Sequence, residues 1–159
     1  MDWLYWLPMG GIMIRTRTLG LLVALTLTGC STGDKIMKQP PVTACGDSPN
    51  CVSSKDTRPK FALSPFTLTS ESVRFDDIVN TIASLSGAKL ISQQDNYAHF
   101  TFTTPVLRFV DDVEISVHGT ELALRSASRV GYYDFGANRR RADAIRQALR
   151  DTKLITPSP

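Results

Sequence analysis

The spacing of apolar residues along the chain predicts two helices. From Phe75 to Leu85 the apolar side chains recur every three or four positions, which is the period of a helix that buries one face. Ser72 is the predicted N-cap of this helix, and Gly87 is its predicted end. The same period predicts a second helix over residues 137–152.

Alternation of apolar and polar residues predicts five strands. They lie at residues 66–69, 89–93 and 97–103, and in a hairpin whose two strands run over 112–118 and around Leu122 and Leu124. The order is strand, helix, four strands and helix, which predicts a single α+β domain with antiparallel strands and helices on one face. In element order alone it resembles the TATA-binding-protein-like and helix-grip folds.

The hairpin at residues 119–120 has a predicted register. If these two residues form the loop, Glu114 faces Arg125 and Ile115 faces Leu124. One face of the hairpin is then apolar, and the other carries charges opposite their complements. A slip by one residue would exchange the two faces, so the pattern specifies the pairing.

Length and composition agree with one globular domain. The chain has 159 residues, of which 42% are hydrophobic and 21% are charged, and this excludes a disordered tail, a collagen-like fibre and a multidomain enzyme. The predicted organisation is a removable leader over residues 1–29, a lipidated cysteine with a tether and entry segment over 30–60, the α+β domain over 61–153 and a tail over 154–159.

The leader is typical of an export signal. A nine-residue apolar run over residues 19–27 follows Arg15 and Arg17, and it is too short to span a bilayer. Because residues 1–12 contain an acid and no basic side chain, Met13 is an alternative start of the protein.

The apolar run ends in Leu27-Thr28-Gly29-Cys30, which resembles the lipobox of bacterial lipoproteins, where the cysteine thiol receives diacylglycerol. The alternative is a buried core cysteine after a short apolar helix, and no helix pattern follows to support it. Ser31 is not Asp, which by resemblance to sorting in Gram-negative envelopes favours the outer membrane, with the inner membrane as the alternative. We expect a lipid anchor at the periplasmic face.

Cys45 and Cys51 remain after Cys30. In an oxidising compartment such thiols usually pair, and the intervening Gly46 and Pro49 allow the chain to bend into bridging range. We predict a local disulfide. A redox pair would more typically be Cys-x-x-Cys at a helix start, and a metal site would need more ligands than two thiols and two distant histidines. We therefore expect no metal and no cofactor.

Charge is unevenly distributed. Residues 61–138 hold five basic and nine acidic side chains, whereas residues 139–159 hold six basic and two acidic ones. Arginines at 139–141 occupy the first turns of the terminal helix, where cations oppose the helix dipole. Either they pair with carboxylates or point into water, or one or two of them bind an anion. Nucleic acid is not a predicted partner, because the net charge is only +3.

Four motifs resemble those of a known family. They are NCVSS at 50–54, RFVDDVE at 108–114, RSASRVGY at 125–132 and DFGANRRR at 134–141. In this order they are similar to the successive motifs of domain-of-unknown-function family 1499, over about residues 45–149. The resemblance implies an envelope or membrane-associated protein. It implies no activity, because none is assigned to that family.

The polar side chains of these motifs are expected to form one cluster. Arg125 and Arg129 lie two residues apart and therefore point to the same side of a strand. The predicted cluster consists of Asp112, Glu114, Arg125, Arg129, Asp134, Asn138 and Arg141, with Asn50 and Ser53 as neighbours. Two main interpretations stay open. The cluster is either an ion-pair network that clamps the last helix to the sheet, or a site for a ligand or partner.

Catalysis has little support in the sequence. His99 and His118 lie on polar strand faces without a surrounding motif, and no nucleophile-elbow, phosphate-loop, dinucleotide or zinc-protease pattern occurs. We therefore expect a non-enzymatic outer-membrane lipoprotein that binds an envelope protein or a small anionic or lipidic ligand. The alternative is a small envelope hydrolase that uses the polar cluster.

Overall fold

The computed structural model describes residues 42–157 of the chain. The predicted leader, its apolar run, Cys30 and the tether up to residue 41 lie outside the described residues. Within the described residues, the chain forms an α+β fold in which two helices pack on one face of a six-stranded antiparallel sheet. This confirms the predicted fold class.

The elements follow the predicted order, with one additional strand at the start. They are β1 (Cys51–Ser53), β2 (Phe66–Thr67), α1 (Phe75–Ala83), β3 (Ala88–Gln94), β4 (Tyr97–Thr103), β5 (Val110–His118), β6 (Glu121–Ser128) and α2 (Ala137–Asp151). The sheet order is β1-β6-β5-β4-β3, and β2 pairs with β6 next to β1. The likeness to TATA-binding-protein-like and helix-grip folds stays a prediction.

The predicted hairpin register is confirmed. Glu114 pairs with Arg125 and Ile115 with Leu124 across β5 and β6. Gly119 in the connecting turn has a φ of 57°, a conformation that residues with a Cβ rarely adopt. The turn and the alternation of side chains therefore specify the same pairing.

The core lies between the sheet and the helices. Apolar side chains on alternate positions of β4, β5 and β6 meet the apolar stripes of α1 and α2. Its fully buried members include Phe100, Val113, Leu124, Ile78 and Ile145. No helix among the described residues is long and apolar enough to cross a membrane.

Both predicted ends of the first helix differ from the structure. The helix begins after Arg74, and Ser72 lies in the preceding turn, where its hydroxyl and that of Ser70 bond to each other at 2.7 Å. It ends at Ala83, so Gly87 is not its C-cap. Gly87 instead lies against β4, where a Cβ would approach the carbonyl oxygen of Thr103 to 2.6 Å. The glycine thus permits β3 to start beside β4.

The entry segment packs on the sheet face opposite the helices, hereafter the outer face. The predicted pairing of Cys45 and Cys51 is present, with their Cα atoms 5.8 Å apart. The bridge lies in a small apolar cluster with Phe61 and Ala127. The sequence pattern did not predict β1, because three residues are too few to show alternation, and the strand exists by pairing with the edge of β6.

Candidate functional site

The predicted polar cluster consists of two groups on opposite faces of the sheet. The group on the outer face contains Asp112, Glu114, Arg125 and Arg129. The group on the helix side contains Asp134, Asn138, Arg141 and Asn50. This corrects the expectation of one cluster. The reason is that α2 docks on the face opposite the one that carries the charged pairs of the hairpin.

Ser53 pairs with Arg125 across β1 and β6, so it lies beside the outer-face group. Its side chain is fully buried, and its hydroxyl donates to the carbonyl oxygen of Thr43 at 2.7 Å. It therefore holds the entry segment against β1. Ser53 is therefore a neighbour of the polar cluster by strand pairing, as expected, while its hydroxyl bonds to the entry segment and not to the charged pairs.

Two ion pairs cross the outer face between β5 and β6. Arg125 donates to Glu114 at 2.9 Å, and Arg129 donates two hydrogen bonds to Asp112 at 2.9 and 2.8 Å. Strand β4 adds a neighbour to each carboxylate. Tyr97 donates to Glu114 at 2.9 Å, and the Nε2 atom of His99 lies 2.7 Å from Asp112. Each carboxylate is thus bound from both neighbouring strands.

These contacts make the outer face poorly suited to acid–base chemistry. Burial acts to raise the pKa of Asp112, but the hydrogen bonds from Arg129 and His99 outweigh it and lower the pKa below its ordinary value. Burial, and then the bond to Glu114, raise the pKa of the Tyr97 hydroxyl. A carboxylate held ionised and a phenol held protonated do not readily exchange protons near neutral pH.

Asn138 is the centre of the group on the helix side. It is fully buried in the first turn of α2. Its Oδ1 atom accepts from the hydroxyl of Ser126 at 2.7 Å. Its Nδ2 atom donates to the carbonyl oxygen of Asn50 at 2.7 Å and to the hydroxyl of Ser128 at 3.0 Å. One side chain therefore connects α2 to β6 and to the residue before β1.

Arg141 follows Asn138 by one helical turn and completes the connection. It donates to Oδ1 of Asn138 at 2.7 Å, to the hydroxyl of Ser126 at 2.9 Å and to the carboxylate of Asp111 on β5. The side chains of Arg141 and Asp111 are only 9% and 4% exposed, so this ion pair is buried. The pairing with Asp111 agrees with the interpretation that the group clamps α2 to the sheet.

Asp134 caps the start of α2 from two residues before the N-cap, Gly136. Its carboxylate accepts from the backbone N–H groups of Gly136 and Asn138, each at 2.9 Å. Acceptors at this end of a helix satisfy free N–H groups and oppose the positive end of the dipole. The carboxylate is therefore committed to the helix terminus.

The other two arginines at the start of α2 bind backbone carbonyls. Arg139 donates to the carbonyl oxygens of Ala62 and Lys60 at 3.0 and 3.1 Å, and Arg140 donates to that of Phe135 at 2.9 Å. The residues before α2 are thus secured from the helix itself. These contacts replace the predicted carboxylate partners for Arg139 and Arg140, and Arg140 stays exposed to water, as one of the alternatives predicted.

We expect Arg125→Ala to lower the free energy of unfolding by about 1–3 kcal/mol, between the costs of breaking an exposed and a buried ion pair. The pair with Glu114 is about three-quarters buried. Chemical denaturation measures the loss, and Arg129→Ala is the matched control. Arg129 is half exposed, so the control should lose about 0–1 kcal/mol.

The same variants distinguish a clamp from an anion site. If the arginines form a clamp, phosphate and chloride at equal ionic strength give the wild type the same melting temperature. A more stable Arg125→Ala protein, or a melting temperature that rises with phosphate alone, would instead show that the arginines are placed to bind an anion.

Two loops at one end of the sheet expose a group of large apolar side chains. The loop of residues 104–109 joins β4 to β5, and the loop of residues 129–136 joins β6 to α2. Their exposed apolar residues, which we call the loop surface, are Val106, Leu107, Phe109, Val130, Tyr132, Tyr133 and Phe135. Val106 is 86% exposed and Phe135 80%. Exposed apolar groups concentrated at one end of a domain mark contact sites.

Hydrogen bonds at the base of each loop hold this surface in place. In the first loop, Thr104 and Phe109 exchange two hydrogen bonds of 2.9 Å, one through the threonine hydroxyl. In the second loop, Asn50 donates to the carbonyl oxygen of Gly131 at 2.6 Å. The rings of Tyr133 and Phe135 meet edge to face with centroids 5.1 Å apart. The surface is therefore formed before any partner arrives.

A cleft of about 270 Å³ separates the two loops. Phe109, Tyr133 and Phe135 line it, and Asp111 and Ser128 lie at its base. Both base residues already bind α2 side chains. The volume is slightly below the range of pockets that enclose drug-sized ligands, roughly 300–1,000 Å³. The exposed side chains around the cleft are therefore the more prominent feature.

Sequence reasoning did not identify the loop surface. The signal was present, because residues 104–109 and 129–136 combine Pro or Gly with several large apolar residues that continue no helix or strand period. Their positions in the fold were not visible from that signal. Within residues 42–157, no group of three or more His, Cys, Asp or Glu side chains is arranged to hold a metal ion.

Comparison with protein-family models finds one match. The model described as protein of unknown function, DUF1499, matches residues 41–149, which is more than half of the chain. Comparisons with curated proteins and with solved structures each find no match. The matched region contains both loops and both polar groups.

Proposed function

The chain belongs to the DUF1499 family of proteins of unknown function, and from this premise and its structure we propose that it is a non-enzymatic binding module of the cell envelope. In this proposal, a lipid on Cys30 holds the module at the periplasmic face of the outer membrane. The loop surface contacts the partner, and the polar groups stabilise the domain.

The loop surface is the single observation that carries the proposal. Seven of the nine exposed large apolar side chains of the described chain lie in these two loops, and the other two, Leu90 and Ile91, lie on edge strand β3. Exposing the seven costs solubility without adding to the core, so a contact made by these side chains explains their presence best. The arginines and carboxylates that a hydrolase would need are already bonded to one another.

Support for the anchor comes from the sequence. The apolar run followed by Leu27-Thr28-Gly29-Cys30 places a cysteine where a lipoprotein would be cleaved and acylated. Several acyl chains on one terminus bind a membrane firmly, because each buried methylene contributes about 0.8 kcal/mol. The module needs no membrane-spanning helix in this arrangement.

We expect Cys30→Ser to move nearly all of the protein from the detergent phase to the aqueous phase, or to leave an uncleaved precursor. The substitution removes the thiol that receives the lipid. Detergent-phase partition of the full chain expressed in a Gram-negative host measures the effect. Replacing Cys45 and Cys51 by Ser is the matched control, and partition should not change. Detergent partition of Cys30→Ser equal to that of the wild type would refute the anchor.

Crosslinking tests the contact made by the loop surface. A photoreactive residue in place of Phe135 in the lipidated full chain should give envelope adducts, whether with protein or with lipid. The same residue in place of Ile91 is the control, because Ile91 is 49% exposed but lies on edge strand β3. Equal adducts at both positions, or none at Phe135, would contradict a contact through the loops.

A further inference from the structure

We propose that the loop surface binds the headgroup region of an anionic phospholipid bilayer, with the apolar side chains entering the interface and Arg108 contacting phosphate. This inference deepens the proposed function, because it uses the same surface and specifies the partner. It depends on the shape of the surface, its charge, the adjoining groove and the reach of the tether.

The shape of the loop surface favours a bilayer over a protein partner. Its side chains project from the tips of two loops, and Val106, Phe135 and Tyr132 are 75–86% exposed. A protein partner would have to supply a matching pocket for each projecting side chain. A bilayer interface accepts them without such complementarity. Tyrosine and phenylalanine rings suit the membrane interface, because the rings are apolar and the hydroxyl of a tyrosine can stay in the polar headgroup layer.

The charge around the surface complements an anionic headgroup. Residues 104–109 contain no acid, and Arg108 is exposed between Leu107 and Phe109. Residues 129–136 contain one acid, Asp134, which is occupied in capping α2. Exposed Arg140 adds a further cation at the edge of the second loop. Each basic residue near an anionic membrane surface strengthens binding about fivefold.

A groove of about 370 Å³ adjoins the first loop and has the chemistry of a phospholipid site. Leu85, Phe102 and Pro105 give it an apolar lining. The side chains of Arg140 and Arg141 also line it. An acyl chain can lie on the apolar side while its phosphate faces the exposed Arg140, because a guanidinium presents several donors to a phosphate.

Backbone conformation marks the same two loops. Three non-glycine residues of the described chain have positive φ, and two of them are Arg108 at 56° and Phe135 at 53°. Side chains rarely adopt this conformation, and strained residues that persist often serve a contact. Positive φ favours glycine, and both residues are exposed, so core packing does not require a side chain at either position.

The first described residues contact β1, and the residue before β1 contacts the second loop. Val42, the first described residue, follows Cys30 by 12 positions, and a chain of that length spans at most about 40 Å. Thr43 contacts Ser53 of β1, and Asn50 at the start of β1 contacts Gly131 of the second loop. A tether with this maximum reach allows a lipid on Cys30 and the loop surface to contact the same membrane.

The experiment uses the chain from Ser31 to Pro159 without its lipid. This chain contains every described element and both apolar clusters, so its fold does not require the leader. It also contains no tryptophan, because both tryptophans of the protein precede residue 30. A single introduced tryptophan therefore reports its own surroundings. Vesicles of phosphatidylcholine with about one-third phosphatidylglycerol supply the anionic surface.

Fluorescence locates the contact. Phe135→Trp should shift its emission to shorter wavelength when anionic vesicles are added, because the indole enters a less polar environment. Ile91→Trp, on the edge strand β3, should show no shift. Absence of a shift at position 135, or an equal shift at both positions, would overturn the proposal.

Vesicle co-sedimentation measures the partition coefficient between water and the membrane. Leu107→Asp should lower the partition coefficient at least about tenfold, because a charge replaces an inserted apolar side chain. Arg108→Gln should lower it about fivefold, and Lys153→Gln, at the opposite end of α2, should leave it unchanged. All three side chains are exposed, so equal melting temperatures verify folding. Binding to pure phosphatidylcholine as strong as to anionic vesicles would overturn the proposal.

The result also separates this inference from the proposed function. If the chain does not bind vesicles while a photoreactive residue at position 135 crosslinks to an envelope protein, the lipid inference fails and the binding module stands. If Phe135→Trp shows no vesicle binding and a photoreactive residue at position 135 gives no adducts, the lipid inference and the binding module are both wrong.

Discussion

Arg141→Ala should lower the free energy of unfolding by about 3–5 kcal/mol, which is the usual cost of removing one partner of a buried ion pair. The substitution leaves the carboxylate of Asp111, 4% exposed, without its guanidinium partner. It also removes the donor to Ser126 and Asn138. Denaturation by urea at neutral pH measures the loss.

Two further variants test this explanation. Arg74→Ala breaks an exposed pair with Asp76 in the first turn of α1, and it should cost about 0–1 kcal/mol. Combining Arg141→Ala with Asp111→Ala removes both buried charges, so the double variant should lose less than the sum of the two single variants. Strictly additive losses would show that the ion pair does not determine the stability of this contact.

Asn138→Ala should lower the free energy of unfolding by about 2–4 kcal/mol, because buried groups left without hydrogen-bond partners cost about 1–3 kcal/mol each. The side chain is fully buried and bonds to Ser126, Ser128 and Asn50. Alanine cannot replace any of these bonds. Thermal and chemical denaturation both measure the effect.

Asn80→Ala is the matched control for this variant. Asn80 lies on the exposed side of α1, so the change brings the same gain in helix propensity without loss of a buried network. The control should be neutral or slightly stabilising. Asn138→Asp should be at least as harmful as Asn138→Ala, because it places a carboxylate beside that of Asp134. A stable Asn138→Asp protein would show that the network tolerates charge and is not a structural clamp.

The substitutions of Asn138 affect the loop surface as well as stability. Asn138 binds the carbonyl oxygen of Asn50, and Asn50 in turn donates to Gly131 in the second loop. The helix-side group therefore supports the base of the exposed loops. Residues of the predicted polar cluster therefore also hold the base of the second loop.

Local patterns were sufficient for most of the elements. The period of the residues over 75–85 predicted α1, and the alternation on either side of Gly119 predicted the register of β5 and β6. The helix ends were less predictable. Ser72 looked like an N-cap because serine favours that position, but its hydroxyl is used by Ser70. The N-cap is Arg74, which has no side-chain cap bond, so residue propensity did not predict this boundary.

The ion pairs of the polar cluster were only partly predictable from the sequence. Asp111 and Asp112 are adjacent, yet they face opposite sides of β5 and bind Arg141 and Arg129 respectively. The pairing of Arg125 with Glu114 was predicted because a tight hairpin links the two strands. The partner of Arg141 was not, since it depends on which face of the sheet α2 covers.

The sequence by itself determined the α+β class, the element order, the hairpin register and the pairing of Cys45 with Cys51, because these depend on periods and contacts over a few residues. Only the tertiary structure decided that the charged residues divide between two faces, and that residues 104–109 and 129–136 meet at one end of the sheet. Those contacts join segments that are far apart in the chain. They follow from strand order and helix docking, which depend on the packing of the whole core and leave no periodic signal in any one segment.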